Sequence, residues 1–371
     1  MSELTFEYIT IVLAGLTTIF IVTALYDVKR NKLYNESKLL SRNKEINIIV
    51  SQIQTGQSSA IIGAFGHERT MILRDIFDKK SDISSGQVSL IFSYLSIDTL
   101  KKDCSQAEFW EEALSPINEQ YVDKSTNILK IYETCKENNF KNRYLDRLIT
   151  QFKKDGVRLV LLIDRFETLL HMENLNRQEF FGQLRQLASS QHPSPLNLII
   201  ASNAPIWQLH EKTESLNPVS SPFFNFLEAG AITLGAIENK DIEQLLDKSG
   251  HAFTNDDDIF LKEISSNQPY LLEVAAVILI HAYKDKEDNP IETARAIFSD
   301  KVEKMLKNIF KFWSPNLSQA FISVAQNLDV SDFRQELKEL EKQGFIRKID
   351  NNWQVSSSIF KEHLIAKTIQ E

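Results

Sequence analysis

Between residues 59 and 234 five short apolar runs alternate with helical stretches. Residues 59–62 are Ser-Ala-Ile-Ile, and residues 88–95 (Val-Ser-Leu-Ile-Phe-Ser-Tyr-Leu) mix β-branched and aromatic side chains, as strands do. Residues 159–163 are continuously apolar, which predicts a strand covered on both faces. Residues 196–201 repeat that mark after the breaker His192-Pro193-Ser194-Pro195, and residues 229–234 form a last short run. Five strands separated by helices predict an α/β fold with a parallel sheet covered on both faces. From about residue 237 the period changes to 3.6. Residues 239–248, 256–265 and 269–283 read as helices, the last apolar nearly all round, and together they predict an α-helical lid. Residues 332–343 predict a further helix, followed by Gly344 and two short strands around the polar turn Asp350-Asn351-Asn352. That order is the outline of a winged helix.

The first residues follow a different pattern. Residues 8–26 are 19 positions without a charge, about 28 Å of helix at ~1.5 Å per residue, close to the ~30 Å of a bilayer core. Glu3 and Glu7 precede the run, and Lys29, Arg30 and Lys32 follow it. The charge bias predicts a single span with the N-terminus outside and the rest of the chain cytoplasmic, in an inner or plasma membrane. Thr10, Ala14, Thr17 and Thr18 place small residues along one side of the span, a surface on which helices can pack closely. The expected division is an anchor at 1–27, a juxtamembrane stalk at 28–47, the NTPase-like domain at 48–236, the lid at 237–299 and the winged helix at 300–371.

Composition narrows the function classes. The chain has 371 residues, 43% hydrophobic and 25% charged, with a net charge of −8. Nothing in that balance points to nucleic acid. The candidate recognition helix carries Glu336, Glu339 and Glu341, where phosphate contact needs a basic face, so no nucleic-acid partner is expected. The two cysteines, Cys104 and Cys135, lack any metal-ligand spacing.

The chemistry concentrates at strand ends. Residues 59–70 read Ser-Ala-Ile-Ile-Gly-Ala-Phe-Gly-His-Glu-Arg-Thr, the outline of G-x-x-x-x-G-K-[S/T], which aims backbone N–H groups and one ammonium at phosphates. Gly63 and Thr70 fit and Gly66 keeps the turn glycine-rich. Glu68 stands in place of the second glycine and Arg69 in place of the lysine. An arginine is a planar fork rather than a compact ammonium, and a glutamate adds like charge, so binding of ATP or ADP is expected to be weakened. His67 lies inside the loop. The strand at 159–163 ends in Asp164-Arg165-Phe166-Glu167, where Asp164, with Thr70, would hold Mg²⁺ and Glu167 is the nearest carboxylate for a base. The strand at 196–201 ends at Ser202-Asn203, where Asn203 could sense a γ-phosphate.

In this order the degenerate phosphate loop, Leu161-Leu162-Ile163-Asp164-Arg165-Phe166-Glu167, Ile199-Ile200-Ala201-Ser202-Asn203-Ala204-Pro205, Ser220 to Phe226, Gln268-Pro269-Tyr270-Leu271-Leu272 and the closing winged helix resemble the prokaryotic STAND branch of AAA+-related ATPases. The resemblance covers residues 46–371. It implies that Pro269 lies against the adenine and that Asp-x-Phe-Glu is a usual form of the Mg²⁺ strand. It implies further a signalling or regulated-assembly role, by self-association or with a protein partner, as in some defence systems. Two other readings stand beside it: an ATPase that hydrolyses with Asp164, Arg69 and Glu167, and a nucleotide-free membrane scaffold. Efficient hydrolysis is not expected.

Overall fold

The computed structural model describes residues 42–84, 88–121, 127–189, 193–214, 224–247, 249 and 251–367. The span expected at 8–26, the small-residue side on it, the stalk up to residue 41 and the first part of the Ser220 to Phe226 stretch lie outside those residues. Among the described residues no helix is long and apolar enough to cross a membrane.

The five apolar runs become one parallel sheet. Its strands are β1 (Ser59–Ile62), β2 (Ser89–Ser96), β3 (Val157–Asp164), β4 (Leu196–Ser202) and β5 (Ile232–Thr233), in the order β2-β3-β4-β1-β5. Strand alternation explains why the runs are apolar throughout. Leu159, Leu161 and Ile163 join the core on one side of the sheet, while Val160 and Leu162 join the core on the other; successive side chains point to opposite faces, and here both faces are covered. Helix α1 (Asn43–Thr55) and helix α2 (Gly66–Asp78) share the core with Val160 and Leu162. Helices α3 (Gln106–Tyr121), α4 (Asn127–Glu137), α5 (Asn142–Lys154) and α6 (Gln178–Ser189) share the opposite one. Helix α1 covers the sheet with Ile46, Ile49 and Ile53, a 3–4 spacing that makes one helical stripe.

After β4 comes α7 (Ile206–Glu214), and after β5 the chain is helical: α8 (Asn239–Asp247), α9 (Asn255–Ser265), α10 (Pro269–Lys284), α11 (Pro290–Phe312), α12 (Pro315–Ala325) and α13 (Arg334–Lys342). Local signals fix these starts. Thr254 and Asp257 form a reciprocal capping box on α9, while Asn289 and Ser314 cap α11 and α12 through their side chains. Proline opens α10, α11 and α12, where its missing N–H costs nothing. An antiparallel ribbon of β6 (Ile346–Ile349) and β7 (Asn352–Val355) follows, then α14 (Ser358–Lys367). The ribbon turns through Asp350 and Asn351, both left-handed at φ 48° and 66°, the conformation of a two-residue hairpin turn that favours these residue types. Helices α8 to α14 and the ribbon share one apolar core, which also takes in Phe65 from the loop between β1 and α2.

Candidate nucleotide-binding site

The C-terminal ends of β1, β3 and β4 converge, and the sequence-derived candidates meet there. Gly63 leaves β1 with its N–H donating to the Ser202 carbonyl at 3.1 Å. A Cβ at that position would stand 3.1 Å from Leu234, so the glycine lets the loop pass close to β5. Helix α2 then begins at Gly66, two residues before the position of the second pattern glycine. Glu68 is therefore a third-position helical residue rather than part of an open cradle. A carboxylate in a first helical turn is favoured by the helix dipole. Its side chain is buried and turned to Arg42, whose guanidinium lies 3.5 Å away. His67, beside it, is exposed.

Asp164 ends β3 and is held from three directions. Its Oδ2 accepts the Thr70 hydroxyl at 2.6 Å and the Tyr94 hydroxyl at 3.1 Å, and its Oδ1 accepts the Arg165 N–H at 2.9 Å. Register explains the Tyr94 contact, because β2 runs beside β3 with Tyr94 opposite Leu162 and Ser96 opposite Asp164. Burial pushes the Tyr94 phenol up, and the neighbouring Asp164 charge adds to that. Arg165 is left-handed at φ 55°, uncommon for a residue with a side chain. That turn sends the Arg165 side chain out to Asp98, at 2.5 Å, while Phe166 and Glu167 fold back inside.

Glu167 comes to rest beside Arg69, Oε1 to Nη2 at 3.6 Å, and its Oε2 accepts the Asn203 N–H at 3.3 Å. Arg69 is 2% exposed, and its Nε and Nη1 are buried without a hydrogen-bond partner. Burial lowers the Arg69 pKa against the pull of Glu167 and Asp164, and burial raises the Glu167 carboxyl against the pull of Arg69. Both partners thus move toward neutrality, the sign of a buried pair whose desolvation outweighs its attraction. The Asn203 side-chain oxygen is also buried without a partner.

Pro269 is buried at the start of α10, and its neighbour Tyr270 stacks on Phe65 with ring centres 5.2 Å apart. Phe345, next to β6, lies 6.0 Å from the same ring. The tip of the phosphate loop is thus joined to both the Pro269 motif and the start of the ribbon. Thr70, Asp164, Glu167, Arg69 and Asn203 form one cluster, while Pro269 reaches it through Phe65. Sequence reasoning passed over Arg42, Tyr94 and Asp98. Tyr94 was findable from its place near the end of a strand that pairs with β3; Arg42 left no signal.

The AAA-like domain family matches the chain over residues 119–366, more than half of its length, from α3 through β3, β4 and the whole helical part. The chain belongs to the AAA-like domain family. The match begins after the phosphate loop, so the family is carried by the Asp164 strand, the Asn203 strand and the helices that follow. Among solved structures, the Walker-type ATPase of Pyrococcus abyssi aligns with 13% identity over 87% of this chain and 95% of its own, at a TM-score of 0.57. The Aeropyrum pernix ORC2 protein, in its ADPNP-ADP complexes, aligns with 10% identity over 89% and 95%, at 0.47. Drosophila ORC bound to DNA aligns with 13% identity over 90% and 91%, at 0.42. The Pyrococcus likeness gives this AAA-like chain the fold of a P-loop ATPase; at such identity it gives the fold alone. No curated protein matches the chain.

Proposed function

We propose that this AAA-like protein is a nucleotide-responsive switch of the STAND type, held at a membrane by residues 8–26 with its P-loop domain on the cytoplasmic side. The observation that carries the reading is the arrangement around Arg69: a buried guanidinium with two unpartnered donors, resting on Glu167, beside a Thr70–Asp164 pair. Oxygen donors of that kind fit Mg²⁺, which takes one or two protein ligands together with phosphate oxygens and water. Bound Mg²⁺-nucleotide would supply polarised phosphate charge at this spot. Arg69 would then give up Glu167 for a phosphate, which matches its fork better, and Glu167 would be freed to orient a water. Until then the Arg69–Glu167 pair keeps the site in a resting state. Asn203, with its side-chain oxygen unpartnered, stands where the change would be sensed, and Pro269 closes the site from the helical side. The β6–β7 ribbon with α12 to α14 is read as a winged helix that joins the assembly surface, so that nucleotide state sets self-association or partner binding.

The test is equilibrium dialysis of the full-length chain in detergent with ATP or ADP, with and without Mg²⁺, followed by phosphate release. Mg²⁺-dependent binding with little turnover is expected. Rapid release that Glu167→Gln abolishes would make the protein a working ATPase, and no binding at all would leave a scaffold.

A further inference from the structure

Arg42 stands at the start of α1 and is 3% exposed. Its guanidinium gathers three pieces of chain that are far apart in sequence. One Nη2 donates to the Gly235 carbonyl at 2.6 Å and lies 3.5 Å from Glu68 in the first turn of α2, and Nη1 lies 3.2 Å from Glu45 of its own helix. Gly235 is where the chain leaves β5 for the helical part. A Cβ there would stand 2.2 Å from the carbonyl oxygen of Lys342 at the end of α13, so only glycine allows the two backbones to approach this closely. Beside it Gln268 donates to the Gln343 carbonyl, which ties the Pro269 motif to the same corner.

We propose that Arg42 is a positioning residue that couples the start of α1 to the phosphate loop and to the backbone at Gly235. The inference rests on the nucleotide-switch reading and adds its regulation. While Arg42 is seated, the Glu68 charge is compensated by its guanidinium. The same fork holds the Gly235 carbonyl against α1. Withdrawal of Arg42 leaves a buried carboxylate uncompensated beside the phosphate site and frees the Gly235 carbonyl in one step. Glu68 is then not a defect of the loop but its control element.

The experiment compares the full-length protein with Arg42→Gln, Glu68→Gln and the double variant, using mant-ATP with Mg²⁺ as probe and hydrogen exchange as a second readout. Arg42→Gln is expected to weaken binding about tenfold or more, as for a buried ion pair that loses one partner. Glu68→Gln should bind at least as well as wild type, and the double variant should return to within about twofold of Glu68→Gln. Hydrogen exchange in Arg42→Gln should rise at residues 63–70 and 232–237 together, with the strands β3 and β4 unchanged as the check on folding. Unchanged affinity in Arg42→Gln, or a double variant as weak as Arg42→Gln, overturns the coupling. If wild type binds no mant-ATP, the switch reading fails. The exchange data then decide the coupling alone: a joint rise in both segments supports it, and no rise in either overturns it.

Discussion

A buried arginine next to a buried glutamate, each pushed toward its neutral form by desolvation, makes a pair whose attraction is offset by the cost of burying both charges. Glu167 in particular imposes a pH dependence. At pH below the ordinary carboxylate range it is protonated folded and unfolded alike. As pH rises past that range the unfolded chain loses its proton first, so stability falls until the raised folded-state value is passed. Glu167→Gln should remove that decline. Thermal melts across acid and neutral pH should show a difference between wild type and variant that grows through this window and is flat beyond it; a constant difference would mean that Glu167 titrates as an ordinary surface carboxylate. Asp164 and Glu167 were legible in the sequence because a continuously apolar run ending in acids took its place, in order, between the phosphate loop and a second such run ending at Ser202-Asn203. The fate of Glu68 was not legible, since its partner Arg42 lies 26 positions earlier and no local pattern links them.

At the scale of elements, the strands were readable for a physical reason: a parallel sheet covered on both faces has no polar positions to confuse the pattern. Strand order was not, because nothing in a run of Leu and Ile says which run is its neighbour. The expected boundary between stalk and globular part falls at residue 48, but the structure runs residues 43–55 as a single helix whose buried stripe is set by three isoleucines, so residues 43–47 belong to the globular part. The aromatic seam between loop and helical part was equally hidden, since Phe65, Tyr270 and Phe345 come from three distant segments. Phe65 is 8% exposed in that shared core. Phe65→Ala should therefore cost about 3 kcal/mol, the usual loss for a large core aromatic, and should raise hydrogen exchange in α10. Leu328→Ala, at a residue 54% exposed, should stay within ~0.5 kcal/mol. Denaturant titration of both variants decides it, and a Phe65→Ala cost no larger than the Leu328→Ala cost would mean that the seam does not hold the loop.

Across the whole molecule, contacts from several segments join the helical part to the sheet and its loops. Phe65 reaches Tyr270 and Phe345, Arg42 holds Gly235, and Gln208 of α7 exchanges hydrogen bonds with the Phe312 carbonyl and the Ser314 N–H at the α11–α12 turn. Helix α7 follows β4 through Asn203, so Asn203 and that turn are joined by one short helix. The nucleotide switch proposed above predicts that these contacts respond as a unit. Asp164→Asn keeps the shape of the side chain and, with its oxygen toward them, the Thr70 and Tyr94 contacts, at the loss of the acceptor for the Arg165 N–H, while removing the charge that would hold Mg²⁺. Size-exclusion profiles of wild type and Asp164→Asn, in one detergent and each with and without Mg²⁺-ATP, should differ in a single condition: wild type with nucleotide should shift and the other three should coincide. Were all four profiles to coincide, nucleotide would not govern assembly, and the site would serve only to hold sheet and helices together. A shift in Asp164→Asn equal to that of wild type would instead take Mg²⁺ out of the switch and leave Arg69 as the group that answers to phosphate.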